Sequence, residues 1–189
     1  MKPPTTKGVR RRLELLDAAG EVMLAEGLQA LTHRRVAEAG GVALGTATYY
    51  LPGRDELVRA TVERLLQREQ QRRSEVSSAS GTVGQVLVAL LLPGDASSPR
   101  EAAAAFYERL GEALRQPDLR PVVDRDYADL EEHVRRVLTD HPVGGRADLV
   151  LALVEGRLLR WLATDRPLDA LFVQVEADVA AVVPLGSGA

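Results

Sequence analysis

The sequence predicts an all-α protein of about nine helices, with an N-terminal three-helix head followed by a larger helical bundle. Three observations lead to this fold class. Apolar residues recur at helical spacing along most of the chain. Capping residues, glycines and prolines divide that pattern into short segments. None of these segments has the strict alternation of apolar and polar residues that is typical of a strand.

The composition is that of a globular chain with a sizeable core. Its 189 residues are 46% hydrophobic and 27% charged. The chain has no cysteine, which excludes disulfides and thiolate chemistry. No apolar run reaches the roughly 18 residues of a membrane-spanning helix, and the N-terminus lacks the apolar segment of a signal peptide. We therefore expect a cytoplasmic protein without a membrane partner.

The first helix follows a basic lead. Five of the first twelve residues are Lys or Arg and none is acidic, although the whole chain has a net charge of −3. We interpret residues 1–8 as a flexible basic arm that is either solvated or in contact with phosphates. In the helix that follows, Leu13, Leu16 and Met23 form one apolar stripe, and Gly27 ends the helix.

A short helix is predicted to begin at His33. Thr32 is a favourable N-cap, because its hydroxyl accepts a hydrogen bond from an N–H group of the first turn. Leu31 and Val36 flank the cap at the positions of a hydrophobic staple, which fixes the direction from which the chain enters the helix. Gly41 ends the helix, since glycine adopts the left-handed conformation without steric cost.

The next helix, residues 43–50, completes a helix-turn-helix. A steep crossing of two short helices needs a glycine at the corner and small apolar residues at the contact, and Ala37, Gly41 and Ala47 provide them. Such a motif presents its second helix to the DNA major groove. The outward side chains there suit base edges and phosphates; they are Leu44, Thr46, Thr48 and Tyr49. The alternative is a helical hairpin that only packs.

Further helices fill the rest of the chain. One begins with Asp55 and Glu56 in its first turn, where carboxylates complement the helix dipole, and ends within the polar run that follows Leu66. Ser98 and Glu101 form a capping box around a proline at the first helical position. We assign residues 9–53 to a DNA-binding domain and residues 54–189 to effector binding and dimerisation. The other helices are predicted over residues 82–92, 98–117, 119–139, 146–164 and 168–183.

The last two helices are predicted to form a homodimer interface. They are apolar on nearly all sides, so each must be buried on more than one side, and in a chain of this size a second subunit is the expected cover. Gly156 in mid-helix costs about 1 kcal/mol relative to alanine, which indicates close approach of another backbone. The alternative is a monomer core with a tolerated glycine. The predicted interface residues are Leu153, Gly156, Arg157, Arg160, Phe172, Val175 and Val179.

With these residues in view, the chain resembles the tetracycline-repressor-type (TetR) family of bacterial transcriptional regulators. The resemblance is densest over residues 10–60, and VEGRLLRWL resembles the family's dimerising helix. It implies an all-helical homodimer that binds a pseudo-palindromic operator in double-stranded DNA, as a ligand-responsive repressor. The family pattern is not complete here, because Thr48 stands where a tyrosine is usual, Leu51 where a phenylalanine is usual, and Gly40 where an alanine is common.

The resemblance also implies roles for residues of the head. Thr32 caps the second helix, Arg54 stands where a lysine usually contacts the DNA backbone, and a neighbouring tyrosine takes over the phosphate contact that Thr48 cannot make. The complete set of expected DNA-binding residues is Thr32, His33, Arg34, Leu44, Gly45, Thr46, Thr48, Tyr49, Tyr50 and Arg54.

An effector pocket is expected in the C-terminal part, where most of the aromatic residues lie. Aromatic walls with a few polar groups are typical of small-molecule sites, and the abundance of Leu, Val and Ala favours an apolar effector. Packing in the core or at an interface is the alternative for each of these side chains. The candidate pocket residues are Phe106, Tyr107, Tyr127, His133, Arg157 and Trp161.

Two other classes of function compete with the regulator. Asp129 and His133 are four residues apart, a spacing that suits an acid–imidazole pair or two metal ligands, but no nucleophile motif, phosphate loop or third ligand accompanies them. We therefore expect no enzyme activity, no cofactor and no metal. The other alternative is a helical protein-interaction adaptor that no longer binds DNA.

Overall fold

The computed structural model describes residues 6–76, 81–94 and 98–182. Within these ranges it contains nine α-helices and no strand, which confirms the predicted all-α class. None of the described helices is long and apolar enough to cross a membrane. The helices are α1 Thr6–Glu26, α2 His33–Ala39, α3 Leu44–Tyr50, α4 Arg54–Val76, α5 Val83–Leu91, α6 Pro99–Leu114, α7 Arg120–Val137, α8 Ala147–Leu162 and α9 Leu168–Ala181.

The helices form two units that are not continuous in sequence. The head unit contains the described residues up to Arg68 together with Ala105–Asp124. The C-terminal unit contains Glu69–Ala104 and the described residues from Arg125 onward. Helices α4, α6 and α7 therefore each contribute residues to both units. The functional division at residues 8 and 53 stays a prediction.

Helix α1 begins at Thr6, earlier than the expected start at residue 9, so residues 6–8 of the expected arm are helical. Residues 1–5 of that arm lie outside the described residues. The predicted stripe is buried at Leu16 and Met23, and Leu15 and Val22 are buried as well. Two adjacent faces of α1 are buried because the helix packs on α2 and also bonds to α4, through ion pairs such as Arg64–Asp17 at 2.8 Å.

Helix α4 continues to Val76 and so ends within the polar run after Leu66, as expected. Long-range contacts hold this polar segment in helical form. Arg72 donates to the carbonyl oxygens of Ala89 and Leu90 at 2.7 and 3.0 Å, near the C-terminus of α5. Arg73 forms a buried two-point ion pair with Asp126 at 2.8 and 3.1 Å. Neither partner is close in sequence, so the local pattern does not reveal them.

The capping residues define the helix starts in the C-terminal unit. The hydroxyl of Ser98 accepts a hydrogen bond from the N–H of Glu101 at 3.4 Å, as expected for an N-cap. Thr82 and Gln85 form a complete reciprocal capping box at α5 that the sequence analysis did not assign. In the first turn of α5, Gly84 packs closely against α9, because a Cβ at Gly84 would lie 2.7 Å from the carbonyl oxygen of Phe172.

Helices α8 and α9 pack on each other and on α5. Helix α9 begins at the predicted residue, and the other three ends differ from the predicted ones by one or two residues, which is within the usual spread of helix assignment. Leu171, Val175 and Val179 of α9 are all buried, at 3%, 0% and 1% exposure. The chain itself therefore covers that stripe, so the stripe does not require a second subunit.

Candidate nucleic-acid interface and ligand site

The start of α2 has the predicted cap. The Thr32 hydroxyl accepts a hydrogen bond from the N–H of Arg35 at 3.2 Å. Leu31 and Val36 are both fully buried, as the staple positions require. Beyond the end of α2, Gly41 has φ +60°, which confirms the left-handed turn. The cap and the glycine thus define the corner between α2 and α3.

The outward face of α3 contains the two most exposed large apolar side chains among the described residues of the head unit. Ala47, on the inward side of this helix, is fully buried and joins the core of the head. On the other side, Leu44 is 52% and Tyr49 is 78% exposed, a large exposure for residues of this size. Gly45 and Thr48 are also exposed, whereas Thr46 is half-buried. The face is therefore open to a partner outside the chain.

Two of the expected α3 contacts have roles within the chain. The Thr48 hydroxyl donates to the carbonyl oxygen of Leu44 at 2.7 Å, which leaves its oxygen lone pairs as acceptors. Tyr50 is half-buried against the core, and Tyr49 meets it edge to face, with ring centroids 5.0 Å apart. Tyr50 thus supports Tyr49, while the Tyr49 ring projects outward.

Three of the basic side chains at α2 and at the start of α4 bond to other parts of the chain, and one is exposed to solvent. Nε2 of His33 bonds to the carbonyl oxygen of Leu51 at 2.5 Å and so joins α2 to the end of α3. Arg54 donates to the carbonyl oxygen of Leu31 at 3.3 Å. Arg35 is held by Glu26, and the hydrogen bond from that guanidinium lowers the pKa of the carboxyl. Arg34 is exposed and forms no ion pair with any described residue.

The six candidate pocket residues divide between the two units. Phe106 and Tyr107 belong to the head unit, where their ring centroids lie 5.6 Å apart. Phe106 borders a cavity of only about 30 Å³, and the wall of this cavity is almost entirely apolar. The other four candidates belong to the C-terminal unit and lie at three places there.

Tyr127 and His133 are held by internal hydrogen bonds. The Tyr127 hydroxyl donates to Glu155 at 3.0 Å, and burial raises the pKa of both groups. Nδ1 of His133 lies 2.9 Å from the carbonyl oxygen of Asp129, and its Nε2 lies 3.3 Å from the hydroxyl of Ser74. No group of three or more potential metal ligands occurs in the described parts of the chain.

Arg157 and Trp161 border one cavity of about 100 Å³ at the end of α8. Arg157 forms a two-point ion pair with Asp178 of α9. The Trp161 ring lies under the guanidinium of Arg100, 3.9 Å from its centre, and Nε1 of Trp161 donates to the carbonyl oxygen of Arg166. Arg100 and Arg166 were missed because their roles depend on contacts between helices rather than on any motif.

The predicted interface residues of α8 and α9 fall on different faces. Gly156 and Arg160 are exposed, and a Cβ at Gly156 would meet no described atom within 4 Å. Leu153, Arg157 and Phe172 are half-buried, while Val175 and Val179 are buried inside the chain's own unit. Three large apolar residues outside the predicted interface set are exposed on these helices, and they are Leu149, Leu159 and Val173. Their exposure depends on which faces of α8 and α9 the other helices cover, and the sequence pattern alone does not show this.

Comparison with known structures supports the same fold. The multidrug binding protein EbrR in complex with malachite green is 26% identical, with a TM-score of 0.67 over 93% of this chain and 99% of EbrR. A transcriptional regulator from Streptomyces coelicolor A3(2) is 25% identical, with a TM-score of 0.67 over 90% of this chain and 98% of that protein. A regulator from Saccharomonospora viridis in complex with choline, 16% identical with a TM-score of 0.70 over 93% and 98%, shows the fold alone.

Sequence comparison identifies the family. No curated protein sequence matches the chain. The family described as "Tetracyclin repressor-like, C-terminal domain" matches residues 85–185, which is more than half of the chain. This match covers the part of the chain in which sequence motifs were weakest, and the helix-turn-helix precedes it. The chain therefore belongs to the tetracyclin repressor-like family of transcriptional regulators.

Proposed function

We propose that this protein is a DNA-binding repressor that acts as a homodimer and responds to a small molecule. The observation that carries the proposal is the outward face of α3, on which Leu44 and Tyr49 are largely exposed while Ala47 on the other side is fully buried. A helix-turn-helix with this arrangement inserts its second helix into the major groove. The apolar and hydroxyl groups of the face suit thymine methyls, base edges and phosphates.

Each residue of the head contributes in a different way. Tyr49, Leu44 and Gly45 contact DNA directly, because they are exposed and Gly45 permits close approach of a backbone. Arg34 is the phosphate contact with the fewest internal constraints. His33 and Tyr50 act indirectly, since they hold α3 in place. Thr32 caps α2, and its hydroxyl faces solvent at the edge of the same surface.

The dimer is proposed to form through the exposed face of α8 and α9. Leu149, Leu159 and Val173 are the large apolar residues that this face exposes, at 38%, 50% and 69%. Gly156 lies among them with open space above it. Two copies of the face bury these side chains against each other, and a twofold axis repeats each contact. The two heads then bind half-sites about one helical turn of DNA apart, roughly 34–36 Å.

The response to a small molecule rests on differential binding. A ligand shifts the protein between two conformers only to the extent that it binds one of them more tightly. Coupling energies between a ligand site and DNA are typically about 1–3 kcal/mol. The complexes of EbrR and of the Saccharomonospora viridis regulator with small molecules support the presence of such a site in this fold.

A catalytic function has less support. His133, which belongs to the only acid–imidazole pair singled out in the sequence, has both ring nitrogens in contact with neighbouring oxygens. Its exposure is 2%, so a substrate has no access to it. We therefore propose that His133 stabilises the packing of α7 against α4 and that the protein acts by binding alone.

Selection of bound DNA from a random pool tests the proposal. We expect an inverted repeat whose half-sites are one helical turn apart, bound with an affinity that falls with salt by about 0.9 log units per log unit for each neutralised phosphate. Tyr49→Ala is expected to weaken binding about tenfold or more, in line with the typical value of about 1–3 kcal/mol for a contact to a base. Arg34→Ala, which removes a phosphate contact, is expected to weaken binding to all sequences and to lower the salt slope by about 0.9. Arg68→Ala, at an exposed arginine of α4, is the matched control.

The same experiment distinguishes the alternative function. An adaptor that has lost DNA binding selects no sequence above background, although the protein remains a folded dimer in solution. Selection of a single half-site without a repeat contradicts the dimeric part of the proposal. Equal loss of affinity in Arg34→Ala and in the Arg68→Ala control shows that the α2 and α3 surface is not the site of contact.

A further inference from the structure

The cavity at the junction of α8 and α9 has the composition of a ligand site. It has a volume of about 100 Å³ and lies beside the end of α8 and the first turns of α9. Its lining contains both apolar and basic side chains. We call it the α8–α9 cavity; its principal lining residues are Arg157, Arg160, Trp161, Arg166, Ala170 and Leu171.

The charge of the α8–α9 cavity is positive. Arg160, one of the residues predicted for the dimer interface, and Arg166 are exposed in the single chain, and neither guanidinium forms an ion pair with a described residue. Arg157 is neutralised by Asp178, which therefore does not cancel the charge of the other two arginines. No carboxylate is among the lining residues, although Asp165 and Asp169 are near in sequence. Two unpaired guanidinium groups thus flank an opening that contains no acid.

The backbone around the cavity does not oppose an anion. The C-terminus of a helix carries partial negative charge on its unpaired carbonyl oxygens. Here Arg100 donates to the carbonyl oxygens of Trp161 at 2.6 Å, of Thr164 at 2.5 Å and of Arg166 at 2.6 Å. These oxygens are already satisfied, so they contribute little repulsion. The cavity also lies at the N-terminal end of α9, where the helix dipole favours negative charge.

The apolar side of the cavity has a fixed shape. The Trp161 ring is held on one face by Arg100 and at its edge by the bond from Nε1 to the carbonyl oxygen of Arg166. Leu171 is buried beside it and Ala170 completes the wall. The cavity is smaller than the roughly 150 Å³ that encloses benzene, so it can bury only part of one aromatic ring, and the rest of the ligand remains exposed.

We propose that the α8–α9 cavity binds a small aromatic carboxylate, with its ring against Trp161 and its carboxylate on Arg160 and Arg166. Guanidinium groups recognise carboxylates through two parallel hydrogen bonds, and the two unpaired arginines of the lining provide such groups. The inference rests on the proposed ligand-responsive function and deepens it, because it names the chemical class of the effector. It also selects Trp161 and Arg157 from the candidate pocket residues as the two that share a cavity.

Fluorescence of Trp161 tests the proposal directly, because it is the only tryptophan of the chain. The full-length protein is titrated, without DNA, with benzoate and with benzylammonium, which has the opposite charge and a similar ring. We expect a saturable change with benzoate and none with benzylammonium. Arg160→Gln is expected to raise the benzoate Kd about tenfold or more, as the loss of one charge-assisted contact requires. Arg136→Gln, at an exposed arginine of α7, is expected to leave it unchanged.

Three outcomes overturn the inference. One is the absence of saturable benzoate binding to the parent protein. If Arg160→Gln then changes the dimer dissociation constant, an acidic residue of a second copy occupies the cavity instead of a ligand. Another is equal binding of the two probes. The third is an equal benzoate Kd in Arg160→Gln and Arg136→Gln. Since these titrations contain no DNA, failure to select an operator refutes the proposed repressor without changing the fluorescence result.

Discussion

Replacement of Gly156 by alanine should affect the stability of the single subunit and the stability of a dimer in opposite directions. Gly156 lies in the middle of α8, and within the described chain a Cβ there meets nothing closer than 4 Å. Alanine in an exposed helix interior is about 0.8–1.0 kcal/mol more favourable than glycine. In a protein of this length, that gain raises Tm by roughly 2–4 °C. Gly111 in α6 has the same open surroundings, so Gly111→Ala is the matched control.

The two variants should diverge when subunits associate. If α8 of a second copy packs over Gly156, the added methyl groups overpack the interface and cost about 1–3 kcal/mol. This cost corresponds to a dimer dissociation constant about five- to 150-fold higher. Sedimentation equilibrium over a dilution series measures that constant, and thermal unfolding at low and high protein concentration measures the stability of each form. Gly111→Ala should leave the dissociation constant unchanged.

The result that refutes this reasoning is a dimer dissociation constant that is the same in both variants. The subunits then meet elsewhere, and the exposed face of α8 and α9 has another role. A lower Tm in Gly111→Ala would instead contradict the conclusion that a Cβ at these glycines meets no other part of the chain.

Three further substitutions test the packing and electrostatics inside the units. Gly84→Ala should destabilise the protein by about 1–3 kcal/mol, because the new Cβ would lie 2.7 Å from the carbonyl oxygen of Phe172; an unchanged Tm contradicts this. Glu112→Ala should cost about 1–3 kcal/mol in urea unfolding, since it leaves the N–H of Leu28 without its acceptor at 2.9 Å. That hydrogen bond lowers the pKa of Glu112, so the contribution is present above pH 4.5 and lost as the pH falls through the lowered pKa; an equal effect at pH 7 and at strongly acidic pH would disprove it. Burial raises the pKa of Glu155, so its ionisation makes unfolding easier as the pH rises from 4.5 through the raised pKa. Glu155→Gln should remove that part of the pH dependence and raise the stability at neutral pH, and a steeper pH dependence in the variant would contradict the assignment.

Local chemistry made the head predictable. The hydroxyl of Thr32, the left-handed turn at Gly41 and the staple of Leu31 with Val36 each act within a few residues, so their sequence spacing determines their geometry. The structure has all three. The membership of the TetR family was likewise predictable, because the segment that carries the resemblance is the segment with the strongest local signals.

The features that the sequence pattern did not reveal share one physical origin, which is contact between residues distant in sequence. The polar segment of α4 stays helical because Arg72 and Arg73 bond to residues of α5 and α7. Val175 and Val179 are covered by helices of their own chain, and no periodicity in α9 reveals which neighbour covers which face. The arginine-lined cavity depends on Arg100, which lies 61 positions from Trp161.

The bond between His33 and Leu51 has a consequence for the position of α3. The imidazole lies 2.5 Å from the carbonyl oxygen of Leu51, the residue that follows α3, so it links the first residue of α2 to the end of α3. A substitution at residue 33 that cannot reach this oxygen therefore disturbs α3 without touching any of its exposed side chains.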